Sequence, residues 1–155
     1  MGDSDLTKPR VNLRFLFLMC NDVQEVKDFY EGLLGMQVQS FMNDEAFGWL
    51  CLQCEGFQMM FFRVDNPFTP VQKFAQQPGW PGGDIETTSW GIEIPEESFR
   101  ETFEKLRDAE KVKTFFEVPQ WLQDSYWGFP VLDPAGNTIE VFTYVKERPE
   151  NTAWS

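Results

Sequence analysis

The chain alternates between short strand-like runs and two stretches with helical spacing. Residues 11–20 read as a strand, and Asn21 and Asp22 close it, Asp22 forming a capping box with Glu25. Val26, Phe29, Tyr30 and Leu33 then fall at i, i+3, i+4 and i+7, the apolar stripe of a helix that Gly35 stops. Strand-like runs at 36–41, 47–54 and 57–64 follow, broken by Asn43-Asp44-Glu45 and Glu55-Gly56. After an interruption the order returns: a strand at 89–94 broken by Pro95, a helix with a capping box of Ser98 and Glu101 and a stripe of Phe99, Phe103 and Leu106, then strands at 113–118, 126–132 and 138–144. The pattern predicts two β-α-β-β-β modules in an α+β fold.

The divisions follow from composition. Residues 1–10 form a polar extension, 11–64 the first module, 65–86 a connector, 87–145 the second module and 146–155 a polar, peripheral tail. The connector holds four Pro and three Gly, and at that length it is either functional or a linker. Its Trp80 is placed either as a lid over a pocket or as an anchor of the linker. A second aromatic-rich loop lies between the strands at 113–118 and 126–132.

One residue breaks the pattern. In the last strand Glu140 sits between Ile139 and Val141, and a carboxylate on a half-buried strand is costly unless paired, protonated or metal-bound. Superposing the closing strands of the two modules puts Met60 opposite Glu140, and aligning the helices at Phe29 and Phe103 puts Phe15 opposite Ser89.

Composition narrows the chemistry. There is no histidine among the 155 residues, which removes His-based acid–base catalysis, Ser–His and Cys–His dyads and His-ligated metals. Twenty-five acidic against thirteen basic residues give a net charge of −12, which argues against nucleic acid and anionic membrane surfaces as partners. Sixteen Phe and six Trp suit either an aromatic-lined cavity or a Phe-rich core. Cys51 and Cys54 form a CxxC within a strand, where a spacing of three sends the side chains to opposite faces, so neither zinc nor redox chemistry is expected of them. The polar N-terminus, the odd cysteine count and the lack of an apolar run of about 20 residues lead to the expectation of a cytoplasmic, reducing setting.

The helix text DFYEGLLGM (28–36) and the closing DPAGNTIEVF (133–142), with the longer run WGFPVLDPAGN (127–137), resemble the vicinal oxygen chelate superfamily. That superfamily includes glyoxalase I, extradiol dioxygenases, fosfomycin-modifying enzymes and bleomycin-resistance proteins, and the similarity spans residues 11–144. It implies two modules curling into a cup-shaped mixed sheet, helices on the outer face. It also implies divalent-metal ligands on the first and last strand of each module, here Phe15, Met60, Ser89 and Glu140. Only Glu140 can ligate, whereas a catalytic metal needs about three protein ligands, so the resemblance points to the metal-free bleomycin-resistance branch, without cofactor.

Alternation then places Phe17 and Met19 with Phe15, Gln58 and Phe62 with Met60, Thr138 and Phe142 with Glu140, and Glu93 with Ser89. The expected ligand-binding set is Phe15, Phe17, Trp49, Gln58, Met60, Phe62, Glu93, Trp121, Trp127 and Glu140. The resulting expectation is a homodimer that binds an aromatic or cationic small molecule, as drug-sequestering relatives do, leaning away from catalysis. Two other readings stand beside it: a metal-dependent lyase or dioxygenase using Glu140, Glu93 and Gln58, and an interaction module whose cup is filled.

Overall fold

Asp22 ends the first strand and opens the first helix by accepting the backbone N–H groups of Gln24 and Glu25 with its carboxylate. In the computed structural model, which describes residues 11–77 and 82–155, this strand is β1 (Phe15–Cys20) and the helix is α1 (Val23–Lys27). The helix widens into a π turn over Asp28–Leu33 before Gly35, at a φ of 80°, releases the chain. Then come β2 (Val38–Asn43), β3 (Gly48–Cys54) and β4 (Phe57–Arg63). The second module holds β5 (Ser89–Glu93), α2 (Glu96–Asp108), β6 (Gln120–Leu122), β7 (Tyr126–Leu132) and β8 (Thr138–Tyr144). Residues 1–10 and Trp80 lie outside the described residues.

Each module forms one four-stranded mixed sheet, in the orders β1-β4-β3-β2 and β5-β8-β7-β6. The registers repeat. Phe15 pairs with Gln58 as Ser89 pairs with Thr138, and Phe17 with Met60 as Gly91 with Glu140.

Two local expectations need correction. The helix α2 begins two residues before Ser98, with Pro95 at its cap and no side-chain cap bond; Glu96 and Glu97 in its first turn supply the favourable charge instead. The run 113–118 is no strand. It touches β7 only through the Thr114–Val131 bridge, held by Leu132 N–H to Lys113 O and Phe115 N–H to Pro130 O. Pro130 has no N–H to extend that ladder, so the edge strand β6 forms later, inside what reads as loop.

One face of each sheet carries the helices. Leu50, Leu52, Met59 and Phe61 meet Val26, Phe29 and Tyr30, while Phe129, Val131, Ile139 and Val141 meet Phe99, Phe103 and Leu106, and all belong to one core. The modules therefore share an interior on their helical sides. Tyr30 fastens the joint by donating its hydroxyl to Asp133 Oδ2 at 2.7 Å, both groups buried. Asp133 also receives the N–H groups of Ala135 and Asn137 and the Asn137 amide. Burial pushes the pKa of both Tyr30 and Asp133 up, while these donors pull Asp133 part of the way back.

The tail is not peripheral. Trp154 packs on Trp127, Phe99 and Phe103 at ring separations of 5.2, 5.8 and 6.2 Å, with the Arg100 guanidinium 4.4 Å from its ring centre. The sequence 146–155 reads as polar, and one indole overrides that polarity.

Candidate functional site

The face of each sheet turned away from the helices holds most of the candidate residues. On the first module, alternation sends Phe15, Phe17 and Met19 of β1, Gln58, Met60 and Phe62 of β4, and Trp49, Cys51 and Gln53 of β3 to this face. Their rings form a continuous strip: Phe15–Phe17 at 6.0 Å, Phe17–Phe62 at 5.7 Å, Phe62–Trp49 at 5.0 Å and Trp49–Phe47 at 6.3 Å. Met60 is buried beneath the strip, yet Phe17 remains 59% exposed and Met19 55%. Exposed apolar rings in mutual contact on one sheet face are the material of which docking surfaces are made.

The strip has two different ends. At one, three amides meet, Gln58 Nε2 donating to Gln39 Oε1 at 2.8 Å and more weakly to Gln53 Oε1. At the other, Met19, Phe47 and Phe62 open into a cleft of about 690 Å³ shared with Glu45, Asp65 and Arg63. The Arg63 guanidinium is already tied to Asn43 Oδ1 and the carbonyl of Asp44. Cys51 faces this side and Cys54 packs on the core, as a spacing of three requires.

The second face is built around Glu140. Its Oε1 accepts the Tyr126 hydroxyl at 2.8 Å, and burial raises its pKa, opposed by that bond. Tyr126 is raised in turn, by burial and by the carboxylate it serves. Gly128 of β7 leaves room there: a Cβ on it would come within 3.4 Å of Glu140 Oε1 and 3.2 Å of the Tyr126 ring. Phe142 and Tyr144 continue the face along β8, and Glu93 pairs beside Phe142 from β5.

The connector covers the far end of this second face. Ala75 donates its N–H to Thr138 Oγ1 at 2.7 Å, and Gln77 Nε2 donates to Ser89 Oγ at 2.6 Å. Phe74 builds a small second core with Leu122 and Leu132. Phe74, Tyr126 and Tyr144 were not among the expected site residues, although Tyr126 and Tyr144 are register partners across β7 and β8, a pairing that strand alternation alone could have suggested.

Trp121 and Trp127 do not join the other candidates. Trp127 pairs with Thr143, on the face opposite Glu140, and stacks on Trp121 at 5.3 Å and on Trp154. Period-two alternation from Glu140, through its partner Pro130, sends Trp127 to the helical side. Nor do the remaining candidates form one cluster, since the two faces belong to separate sheets that share their core on the other side.

The four positions implied as metal ligands do not fit a divalent ion. Phe15 and Met60 offer no oxygen or nitrogen donor, the Ser89 hydroxyl receives the Gln77 amide, and Glu140 is bonded to Tyr126. Among the described residues no three His, Cys, Asp or Glu side chains converge on a metal position. Nor is any helix there long and apolar enough to cross a membrane.

Known proteins place this architecture. The family model described as Glyoxalase/Bleomycin resistance protein/Dioxygenase superfamily matches residues 12–141. No curated protein matches the chain in sequence. Among solved structures, the genomically encoded fosfomycin resistance protein FosX from Listeria monocytogenes superposes with a TM-score of 0.59 at 13% identity, covering 91% of this chain and 98% of its own. A lactoylglutathione lyase from Agrobacterium tumefaciens gives 0.52 at 16% identity, covering 88% and 96%. An integron cassette protein from the mobile metagenome of V. cholerae gives 0.52 at 22%, covering 89% and 98%. At such identities the structures speak for the fold alone, while the family model spans most of the chain; the protein belongs to the glyoxalase/bleomycin resistance protein/dioxygenase superfamily.

Proposed function

We propose that this chain is a metal-free small-molecule-binding protein that holds an aromatic or cationic ligand between the aromatic strip of the first module and the Glu140 face of the second. The observation that carries the reading is the strip itself, from Phe15 through Phe17 and Phe62 to Trp49. Flat rings left in the open offer stacking surface to a planar ligand, and a half-buried carboxylate opposite supplies a counter-charge. Because both faces point away from the shared core, pairing two copies is the arrangement that sets one face over the other. A homodimer is therefore part of the proposal.

Trp49 makes the test direct in a Trp80→Phe background, because Trp90, Trp121, Trp127 and Trp154 all pack on the helical side. Titration with planar cationic aromatics should quench tryptophan emission saturably, should do so equally in the presence of a chelator, and should lose that response in Trp49→Phe. Sedimentation should show a concentration-dependent dimer that Phe17→Glu dissociates. Silence across a broad panel of compounds would overturn the binding reading, and a response abolished by chelator would favour a metal-dependent lyase or dioxygenase. The connector's cover over Ser89 and Thr138 supports the other alternative, an interaction module with a filled cup, which predicts no small-molecule response at all.

A further inference from the structure

We propose that the ring cluster around Glu140 on β7 and β8 is a site for an alkylated ammonium group. Tyr126, Phe142 and Tyr144 stand in mutual edge-to-face contact, with centroids 5.3, 5.4 and 5.8 Å apart. Their planes cross at 61°, 83° and 75°, so the three rings present faces in different directions. Tyr144 is 57% exposed and gives the cluster an open side. A ring face attracts a cation placed within about 6 Å of its centre, most strongly where water is partly excluded.

Two further features select the ligand. The first is charge. Glu140 lies at the floor of the cluster and Glu93 beside Phe142, while the strand positions on this face of β5, β7 and β8 carry no Lys or Arg. Elsewhere the protein supplies its own cations to its rings: Lys27 to Phe41, Arg100 to Trp154, Arg107 to Phe103 and Lys113 to Phe74. None of these contacts involves Tyr126, Phe142 or Tyr144, so among the described residues this cluster has ring faces and negative charge without a resident cation.

The second feature is the apolar lining of the open side. The Tyr126 proton is committed to Glu140, and beyond the carboxylates the surface is ring carbon of Phe142 and Tyr144. A methylated ammonium lays its methyl groups against those rings and is weakly hydrated, whereas a primary ammonium costs more to strip of its water. Gly91 and Gly128 keep bulk away from the same spot, since a Cβ on Gly91 would lie 3.0 Å from the Phe142 ring. This assignment rests on the reading of the two faces as ligand-bearing and names the cationic end of the ligand. The planar end lies on the aromatic strip.

Choline and its neutral isostere, in which carbon replaces the quaternary nitrogen, test it by titration calorimetry on the full chain. Choline should bind saturably and the isostere about tenfold more weakly or worse. Glu140→Gln, which keeps an acceptor for Tyr126, and Tyr144→Leu, at an exposed position, should each weaken choline about tenfold. Equal binding of the two compounds, or choline affinity unchanged in both variants, would overturn the assignment. In the Trp80→Phe background, quenching of Trp49 by an uncharged planar aromatic reports the first face alone. That quenching without choline binding overturns this inference and leaves the wider function standing; loss of both responses overturns both.

Discussion

The two faces turned away from the helices occupy equivalent positions in repeated modules, and they have been finished in opposite ways. The first is apolar and open, with Phe17 more than half exposed. The second holds a carboxylate–phenol pair and is closed at one end by the connector, whose Phe74 is 5% exposed over Leu122 and Leu132. A repeated backbone fixes where side chains point; the residues at those positions decide whether a face becomes a docking surface or an interior. Phe15 and Ser89 show the difference most simply. They share a register position, yet one is an exposed ring and the other a hydroxyl bonded beneath the connector.

The sharpest contrast is between two phenylalanines. Phe74→Ala should cost about 3 kcal/mol in urea unfolding, as a buried ring is lost and a cavity is left on the second face. Phe17→Ala in dilute protein should stay within about 0.5 kcal/mol, because the ring it removes already meets solvent. Equal costs would mean that the faces are not differently filled. At the joint between the modules, Tyr30→Phe should destabilise by about 1–2 kcal/mol, since it strips one donor from the buried Asp133 carboxylate.

The smallest effect is in the pH dependence. Glu140 titrates higher in the folded chain than in the unfolded one, so between those two values the folded state binds more protons. Its contribution to stability is full below the unfolded value near 4.5 and is lost as pH rises through the folded value. Glu140→Gln should make that decline shallower in unfolding curves measured across the acid range, leaving the share of Asp133, whose pKa burial also raises, while Met60→Leu, at the matching position of the first module, should leave the whole decline in place. A decline of undiminished size in Glu140→Gln would show that Glu140 does not contribute to it.

Much of this was legible in the residues. The alternation of β7 and β8, the helical stripes and the turn at Asp133 set seven of the eight strands within a few residues, and the repeat set the equivalence of Met60 and Glu140. The site was legible only in part. Trp121 and Trp127 read as pocket walls because they sit in an aromatic loop, and only the register of β7 against β8 shows them facing the helices. Phe74 lies in a stretch without periodicity, so its burial depends on a fold-back that no local pattern encodes. Trp154 was hidden in the same way by polar neighbours.

The Asp133 turn also bears on how the chain assembles. Its carboxylate receives the Ala135 and Asn137 N–H groups and the Asn137 amide from within four residues, whereas Tyr30 reaches it across 103. Local closures carry little loop entropy and form early; long ones wait until the ends have been brought together by other contacts. The turn between β7 and β8 is thus preorganised by its own backbone, a ready acceptor before the first module docks. Tyr30 closes a loop of 103 residues onto it, a latch that registers the two modules against each other.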